Sequence, residues 1–580
     1  MHAKVIAAAA AWLPLCSGFP SMAPMAQLDP ETNPASCLYT LTAVRVRDFH
    51  FVYSTLLLDL FSFPREQRFV SVSEDGLSVP QIYLHDDVNH AQHGYTPSPV
   101  STIDGVPALE YLQKAAVMNG WSHDPDARFN GLFPSVANNA NPSYGHPEPS
   151  FPDLPDTMTV KCQNGTVFEF ANTAFVRANF TSITSGADLY NAYGPGNGTG
   201  PQVFPWSFYL AAERDWTSLT LFEGYPEPVN ATKTRSVAGS LPHGPEFTDV
   251  AVLSATAAAI YFENIATLLF ALFPGTNFPI HWQTRAHPQY AWLDAQLWND
   301  TNPSAPWPMT NQIKPDNHPW TSFTDFYGPH KGLHGAYTSP SIYNLTDYTT
   351  SFLPPTSPSP NSTNPPPSPS PYLIPWTTPP FPPENIIILT DGQCGSACAL
   401  TTTMLTHTHA IRTLALGGRP LHAPMQTLGQ TKGGPVQGFV NFPTTDVDRT
   451  TVPPGVSIPP PPRGGYNPPL RVSGVDALGW GGLTTFNVAN TLLPGEDEGE
   501  VVPMQFRYEA ANCRLFFTWE MAKDVEAVWR RVAEAAWRGG RCVPGSTTEA
   551  DGRIGGVPPG YREGVEDRYR VGEGPGAVGR

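Results

Sequence analysis

The fold is decided by residues 385–399, which read NIIILTDGQCGSACA. The run 386–389 is apolar and rich in β-branched residues, as is typical of a strand that is covered on both faces. Asp391-Gly392 then predicts a tight turn, residues 397–405 favour a helix, and residues 411–416 predict a second buried strand. A strand–turn–helix–strand unit of this kind indicates an α/β fold.

Ser396 is the candidate nucleophile of this segment. It follows a buried strand on a glycine-flanked turn at the predicted start of a helix, and its neighbours Gly395 and Ala397 are small enough to let a substrate carbonyl approach. Unpaired N–H groups at a helix start can stabilise an oxyanion. The pattern is not G-x-S-x-G, although the arrangement is similar to other strand-to-helix serine nucleophiles. The alternative is that Ser396 only caps the helix.

A catalytic serine needs a base, and the chain offers 16 histidines. His50 is a polar residue within an aromatic, strand-like stretch at 49–53, so it is a candidate base; the alternative is a hydrogen-bonded core histidine. His407 and His409 are two positions apart on a predicted helix and point in different directions. They are predicted to be surface or packing residues and not a metal-binding pair.

Composition narrows the possible functions. The chain has 580 residues, which suggests two to four domains at about 100–200 residues per domain. Hydrophobic residues make up 40% and charged residues 14%, and the net charge is −17. A strongly acidic chain is not expected to have nucleic acid as its main partner. Low charge together with 66 prolines fits a secreted, loop-rich protein.

The N-terminus predicts secretion. A positively charged start at residues 1–4 is followed by an apolar run at 5–15 and small residues at Ser17-Gly18, as in a signal peptide over residues 1–20. The alternative is a short buried helix. The other long apolar stretch, 252–273, carries Glu263 in its middle, so we expect a buried helix there and no membrane contact beyond the signal peptide.

The secretory prediction is consistent with sequons and cysteines. Seven Asn-x-Ser/Thr sequons predict glycosylated loops. They are Asn164, Asn179, Asn197, Asn230, Asn299, Asn344 and Asn361. Of the seven cysteines, Cys16 would leave with the signal peptide. The remaining six permit three disulfides in an oxidising compartment, and their 15 possible pairings stay open.

Residues 354–383 contain 14 prolines and predict a polyproline-like linker or inserted loop, because proline excludes helix and interior strand. The domain organisation predicted on either side of it is a signal peptide at 1–20, an N-terminal region at 37–245, the first part of a core at 246–353, its second part at 384–545 and a disordered tail at 546–580.

Local patterns predict further elements. Alternation at 69–73 and the run at 81–84 indicate strands, and residues 109–117 have helical spacing. Further strands are predicted at 157–161 and 166–170, and a last helix at about 519–538. Thr518 is its candidate N-cap, and Gly539 is its end. The predicted buried stripe of that helix is Val525, Val528, Val532 and Ala535.

The nucleophile segment carries a family resemblance. Residues 385–399, continued by 411–420 and 423–426, are similar to fungal secreted members of the tail-specific (C-terminal-processing) serine protease family. The branch is the one that resembles the chlamydial protease-like activity factor, which uses Ser, His and Glu instead of Ser and Lys. The resemblance extends to 69–76, 122–133 and 505–514, and 103–105 resembles the strand–turn of a PDZ-like module.

The resemblance implies a fold and a mechanism. The expected fold is α/β (α+β), a crotonase/ClpP-like αββ-spiral protease core with an N-terminal PDZ-like β-rich region in 37–245 and long irregular loops. Ser396 would be the nucleophile, His50 the base and Glu509 the third member, with oxyanion donors at Gly395 and Ala397. The implied activity is a secreted serine endopeptidase that needs no cofactor and acts on polypeptides, with ribosomally made precursor peptides as one implied substrate class.

Three residue assignments stay open beside the mechanism that the resemblance implies. Glu509 is alternatively an exposed strand residue. Cys398 is a competing nucleophile, although in a secreted chain it is more typically a disulfide partner, here of Cys394 or Cys513. Lys432-Gly433 is similar to the Lys-Gly of the Ser/Lys branch, but its offset from Ser396 is wrong.

One departure from the family favours a different function. The family's Asp-x-x-x-Asn-Gly-Gly-Gly segment, whose backbone helps to build the oxyanion hole, is expected near 265–272, where this chain reads ATLLFALFP over 266–274. The alternative function is therefore a catalytically inactive, protease-like secreted peptide-binding protein. A metal hydrolase ranks third, because the chain contains no His-Glu-x-x-His motif.

Overall fold

The structure is a computed structural model of the whole chain. It describes residues 68–90, 96–119, 122–134, 381–434 and 501–558 continuously and shorter pieces between 50 and 561. The predicted signal peptide, Cys16, Cys37 and all the sequons except Asn164 lie outside the described residues, as does nearly all of the proline-rich segment. Asn164 lies exposed in the turn that joins two strands.

The strands of the N-terminal half are β1 (Phe61–Ser62), β2 (Phe69–Val72), β3 (Gln81–Leu84), β4 (Val100–Ile103), β5 (Val106–Pro107), β6 (Thr157–Cys162), β7 (Val167–Ala171), β8 (Phe175–Val176), β9 (Ala251–Ser254) and β10 (His281–Thr284). Those of the C-terminal half are β11 (Gln312–Ile313), β12 (His330–Gly332), β13 (Gly335–Tyr337), β14 (Ser341–Tyr343), β15 (Ile386–Thr390), β16 (Arg412–Leu416), β17 (Val436–Gly438), β18 (Thr485–Asn487), β19 (Ala489–Leu492) and β20 (Cys513–Leu515). The α-helices are α1 (His85–His90), α2 (Ala108–Asn119), α3 (Pro125–Asn130), α4 (Phe323–Tyr327), α5 (Ala397–His409) and α6 (Val525–Trp537), and short 3₁₀ turns lie at Pro383–Asn385 and Met504–Phe506.

The centre of the protein is a parallel sheet with the strand order β20-β16-β15-β9. Every residue of β15 is buried. Helix α6 packs on one face of this sheet, where its apolar side chains meet Ile387 and Leu389 of β15 and Leu414 and Leu416 of β16. The strand–helix–strand unit predicted from residues 385–416 is therefore present as β15–α5–β16, and the mixed α/β fold is confirmed.

The fourth strand of this sheet corrects one prediction. Residues 251–254 form β9, which pairs in parallel with β15 from Ile386 to Leu389. The sequence predicted a buried helix that begins at Val252. A short apolar run has no periodicity that separates a fully buried strand from a buried helix, so the start of this segment was assigned to the wrong element.

The N-terminal module is built from a sheet with the strand order β5-β4-β6-β7 and the hairpin β2–β3, with α2 packed against them. Asp104-Gly105 forms the β4–β5 turn with φ of 50° and 78°, the left-handed pair that an Asp-Gly hairpin turn requires. The strands predicted at 69–73, 81–84, 157–161 and 166–170, the turn at Asp104-Gly105 and the helix predicted at 109–117 are all present.

Helix α3 connects the N-terminal module to the central sheet. The Asn130 side-chain amide donates to the carbonyl oxygens of Asp391 (2.7 Å) and Leu416 (2.8 Å), and its oxygen accepts the N–H of Gly418 at 2.6 Å. One buried side chain therefore satisfies backbone groups just beyond the ends of β15 and β16. The carboxylate of Asp126 pairs with Arg419 at 3.1 Å beside it.

The C-terminal part confirms one helix and corrects its start. The predicted buried stripe of α6 is buried, and Gly539 follows its end with φ of 72°. The helix begins at Val525 and not at 519, because the Asp524 side chain caps it by accepting the Glu526 N–H. Thr518 caps only a preceding turn, through the Met521 N–H.

The predicted tail 546–580 is ordered at its beginning. The Cys542 N–H donates to the Gly552 carbonyl, and the side-chain amide of Asn512 reaches the Gly555 carbonyl. These backbone contacts hold residues 546–558 against the core, so the prediction of a disordered tail is wrong for that stretch. Glycine richness was a poor guide here, because glycines also form the tight turns of an ordered segment.

A small antiparallel sheet has the strand order β11-β14-β10-β19. The remaining described strands form the pairs β1–β8, β12–β13 and β17–β18. Within the described part of the chain, no helix has the length and apolarity that a membrane crossing requires.

We expect Asn130→Ala to destabilise the protein by about 2–4 kcal/mol, because it leaves two buried carbonyl groups and one N–H without their partner. The free energy of unfolding in denaturant measures this loss. The matched control is Gln113→Ala, which removes an exposed amide from α2 and should change stability by less than about 0.5 kcal/mol. Equal effects of the two substitutions would contradict the assigned role of Asn130.

Candidate active site

Ser396 has a strained backbone. Its φ of 52° and ψ of −124° lie in a region that non-glycine residues rarely adopt, and it stands immediately before α5. Such a conformation costs about 1–3 kcal/mol and is concentrated at functional sites. The hydroxyl makes no capping hydrogen bond to the helix. The alternative that Ser396 serves only as an N-cap is therefore wrong.

Three restraints hold this turn. The Ser396 N–H donates to the Thr431 carbonyl at 2.6 Å. A disulfide joins Cys394 to Cys398 and so brackets the serine on both sides. Gly395 leaves no room for a side chain, because a Cβ there would lie 2.6 Å from the Cβ of Gln430. Strain of this kind persists only where the surroundings over-determine the backbone, and these contacts do so.

The disulfides settle the role of Cys398. Its sulfur is bonded to Cys394, one of the two partners left open by the sequence, so it is not a competing nucleophile. The second disulfide joins Cys513 of β20 to Cys542. Cys162 is a buried free thiol whose pKa is raised, chiefly by burial.

Two N–H groups of the turn have no acceptor within the described part of the chain. The N–H groups of Cys398 and Ala399 both donate back to the Gly395 carbonyl, at 3.0 and 3.4 Å. By contrast, the N–H groups of Gly395 and Ala397 meet no acceptor among the residues that the structure describes. Orphan donors at a helix start are the groups that an oxyanion hole uses.

His50 is buried and faces an amide. Its Nδ1 lies 2.5 Å from Oδ1 of Asn487. Within the described part of the chain, the Ser396 hydroxyl has no hydrogen bond, so the two predicted partners are not joined directly. In a protease without substrate, catalytic hydrogen bonds are frequently long or unformed.

Glu509 is placed beside another histidine. Its Oε1 lies 3.0 Å from Nε2 of His407, and its side chain is largely buried. Burial raises the pKa of this carboxyl, but the hydrogen bond from His407 and the charges of Lys432 and Arg507 outweigh it, so the net pKa is lowered. The alternative of an exposed strand residue does not hold, because Glu509 belongs to a buried polar cluster.

The two helix histidines are packing residues. His407 binds Glu509, and the ring of His409 stacks on Phe273 with 3.7 Å between centroids. Burial lowers the pKa of His409 to about 4. The sequence predicted surface or packing positions, and both rings are buried or nearly so.

Lys432 is also buried in this cluster. Its Nζ donates to Gln426 Oε1 at 2.7 Å and to the Arg507 carbonyl. Burial lowers its pKa to about 8, although the charges of Glu509 and Asp124 act in the opposite direction. The ammonium group is thus held by two acceptors, next to the residue whose carbonyl binds the Ser396 N–H.

A second serine–histidine pair is not a nucleophile and base. His330 Nε2 lies 2.7 Å from the Ser339 hydroxyl, which itself donates to the Asp325 carbonyl. Because the hydroxyl proton is directed at that carbonyl, the imidazole must donate its own proton to Ser339. In this pair the histidine donates and the serine accepts the hydrogen bond, which is the reverse of what general-base catalysis requires.

Comparisons with known proteins show which proteins the chain is similar to. The model of the CPAF-like PDZ domain matches residues 62–181. The chain is 26% identical to the peptidase S41 family proteins phomP1′ and phomP1 of Diaporthe leptostromiformis, over 85% of this chain and 85% of each. It is 32% identical to the peptidase S41 family protein ustP of Aspergillus flavus, over 30% of this chain and 36% of that protein. The solved structure of mature CPAF aligns with a TM-score of 0.38 at 11% identity, covering 88% of this chain and 89% of that one.

These similarities agree with the family resemblance found in the sequence. The chain is related to the fungal S41, or tail-specific, peptidases and carries a CPAF-like PDZ domain, as its sequence predicted. The relationship supports a serine-peptidase type of hydrolase.

Sequence reasoning did not identify the hydrogen-bond partner of His50. Asn487 is 437 positions from the histidine that it contacts, and it stands in an ordinary polar context on β18. No local motif marks such a residue, because its relevance arises only when the two segments meet.

The buried carboxyl of Asp391 makes stability depend on pH. Burial raises its pKa from 3.8 to about 6, so the folded state favours the neutral form. Its contribution to stability is present below pH 3.8 and is lost as the pH rises through 6, a loss of about 3 kcal/mol. We expect Asp391→Asn, which keeps the oxygen that accepts the Gln393 N–H, to be near neutral at pH 4 and stabilising at pH 7.5.

The difference in free energy of unfolding between Asp391→Asn and the wild type, measured at both pH values, tests this expectation. Taking the difference cancels the groups that titrate equally in both proteins. A difference that does not change with pH would show that Asp391 is ionised normally.

Proposed function

We propose that the protein is a secreted serine endopeptidase. The observation that carries the proposal is the strained, non-capping Ser396, which is held between a buried strand and a helix start. Relatives in the peptidase S41 family support the same chemistry. The two described disulfides are consistent with an oxidising compartment, and the exposed turn at Asn164 is consistent with glycosylation.

The proposed reaction uses few groups. His50 takes the proton of the Ser396 hydroxyl through Nε2, and the oxygen attacks the peptide carbonyl. The N–H groups of Gly395 and Ala397 bind the resulting oxyanion. Collapse of the tetrahedral intermediate expels the amine, which receives the proton from His50, and water then hydrolyses the acyl-enzyme. Glu509 remains a predicted member of this site. It lies among buried polar groups with His407 and Lys432.

The substrates proposed are polypeptides. A ribosomally made precursor peptide, the substrate class that the resemblance of the sequence implies, is one candidate. The competing function is an inactive, protease-like peptide-binding protein, and it is favoured by the lack of a direct hydrogen bond from Ser396 to His50 among the described residues.

A fluorophosphonate probe separates the two functions. The Ser396 oxygen would attack phosphorus, fluoride would leave, and the hydroxyl proton would pass to His50. We expect covalent labelling of the wild type and a loss of at least about 10³-fold for Ser396→Ala. The control is Ser339→Ala, which removes a hydroxyl that is hydrogen-bonded to His330 and should label like the wild type. Folded wild-type protein that takes up no probe would be the inactive binding protein.

The bracketing disulfide gives a second prediction. We expect Cys394→Ala/Cys398→Ala to slow labelling by about 10- to 100-fold, because Ser396 loses one of its three restraints. The bridge closes a separation of only four residues, so its loss should cost about 2 kcal/mol of stability.

The other disulfide is the matched control. Cys513→Ala/Cys542→Ala opens a separation of 29 residues and should cost more stability, about 3.5 kcal/mol, while labelling of the folded protein stays near the wild-type rate. If loss of labelling followed loss of stability across the two variants, the bracketing bridge would have no positioning role.

A further inference from the structure

We propose that Asn487 is a positioning residue that fixes the tautomer and orientation of His50; the inference rests on the proposed function. The contact is direct, since Nδ1 of His50 lies 2.5 Å from Oδ1 of Asn487. An amide oxygen can only accept a hydrogen bond. The proton of the neutral imidazole is then on Nδ1, and the lone pair is on Nε2.

This tautomer is the one that a general base requires. In a serine–histidine site the nitrogen facing the hydroxyl must accept its proton, and a third group must bind the opposite N–H. An asparagine serves that purpose in cysteine–histidine–asparagine proteases. The predicted third member, Glu509, has its carboxylate on His407 instead.

Asn487 is tied to the nucleophile turn by a short segment of chain, residues 431–438. At one end, the Thr431 carbonyl accepts the Ser396 N–H. At the other, Val436 of β17 stands opposite Asn487 of β18 in the antiparallel pair. The group that orients the base and the group that holds the nucleophile therefore share one support.

The middle of this segment fits closely against both sides. Gly433 has φ of 89°, and a Cβ there would lie 2.6 Å from Cδ2 of Leu400 on α5. Gly434 has φ of 85°, and a Cβ there would lie 2.7 Å from the Ala489 carbonyl and 3.4 Å from Oδ1 of Asn487. The two glycines let the backbone pass between the nucleophile helix and the asparagine.

The test compares two substitutions at one position. Asn487→Ala removes the acceptor, and we expect it to slow fluorophosphonate labelling by about 10- to 10³-fold. This loss is a part of the rate enhancement that a positioned general base supplies. Asn487→Asp keeps an acceptor oxygen and should restore most of the rate. Its added negative charge favours the imidazolium, so the acidic limb of its pH–rate profile should move up by about one pH unit.

Asn490→Ala is the matched control. Asn490 is also a half-buried asparagine and lies three positions further along, on β19, where it stands opposite Gln283 of β10. It should label at the wild-type rate. Thermal unfolding of all four proteins shows whether any slow variant has merely lost its fold.

The tautomer itself gives a readout that does not depend on activity. In histidine labelled with ¹⁵N, the protonated and unprotonated ring nitrogens have distinct chemical shifts, and the signals lost in His50→Gln belong to His50. We expect Nδ1–H in the wild type and a mixture of tautomers in Asn487→Ala.

The outcomes separate the two proposals. Equal labelling of the wild type and a folded Asn487→Ala, or Nε2–H in the wild type, overturns the role of Asn487 and leaves the protease proposal standing. An unlabelled wild type overturns the protease proposal and with it any catalytic role for Asn487, whatever the tautomer. Slow labelling of Asn487→Ala, its recovery in Asn487→Asp and the tautomer change together support the assignment.

Discussion

The backbone strain at Ser396 is the constraint on which the rest of the site depends. A residue with φ of 52° and ψ of −124° would relax to a commoner backbone conformation if its neighbours allowed it. The disulfide between Cys394 and Cys398 and the carbonyl of Thr431 prevent this. The backbone of the turn is consequently held in place, as the oxyanion hole of the proposed mechanism would require.

Buried polar side chains, and not only apolar packing, support that turn. Parallel strands leave backbone groups at their ends, and Asn130 satisfies those beyond β15 and β16. Gln426 links the carboxylate of Asp124 to the ammonium group of Lys432. Apolar side chains of the same size would pack as well, but they would leave these backbone and side-chain groups without partners. Directional bonds therefore join the ends of these strands and Lys432 to residues 124–130.

What the sequence predicted correctly was local. The β-branched run of β15, the helix after Ser396 and the buried stripe of α6 follow from patterns within a few residues of one another. Features that depend on distant parts of the chain were not predicted. The strand β9 was taken for a helix, because a short apolar run fits both elements. The order of residues 546–558 was missed because it depends on a contact with Asn512. Asn487 and the partner of Glu509 belong to the same class, since each acquires its role from a segment far away in the chain.

The partners of the two buried histidines give them different chemistry. Glu509 is an ionised carboxylate with a lowered pKa, so Nε2 of His407 must donate to it and cannot serve as a base through that atom. His50 faces a neutral amide through Nδ1, which leaves its proton-accepting atom on the other side of the ring. A carboxylate partner would also stabilise the imidazolium, whereas an amide orients the ring without adding charge. Of these two imidazoles, His50 is therefore oriented by a neutral amide and His407 by a carboxylate.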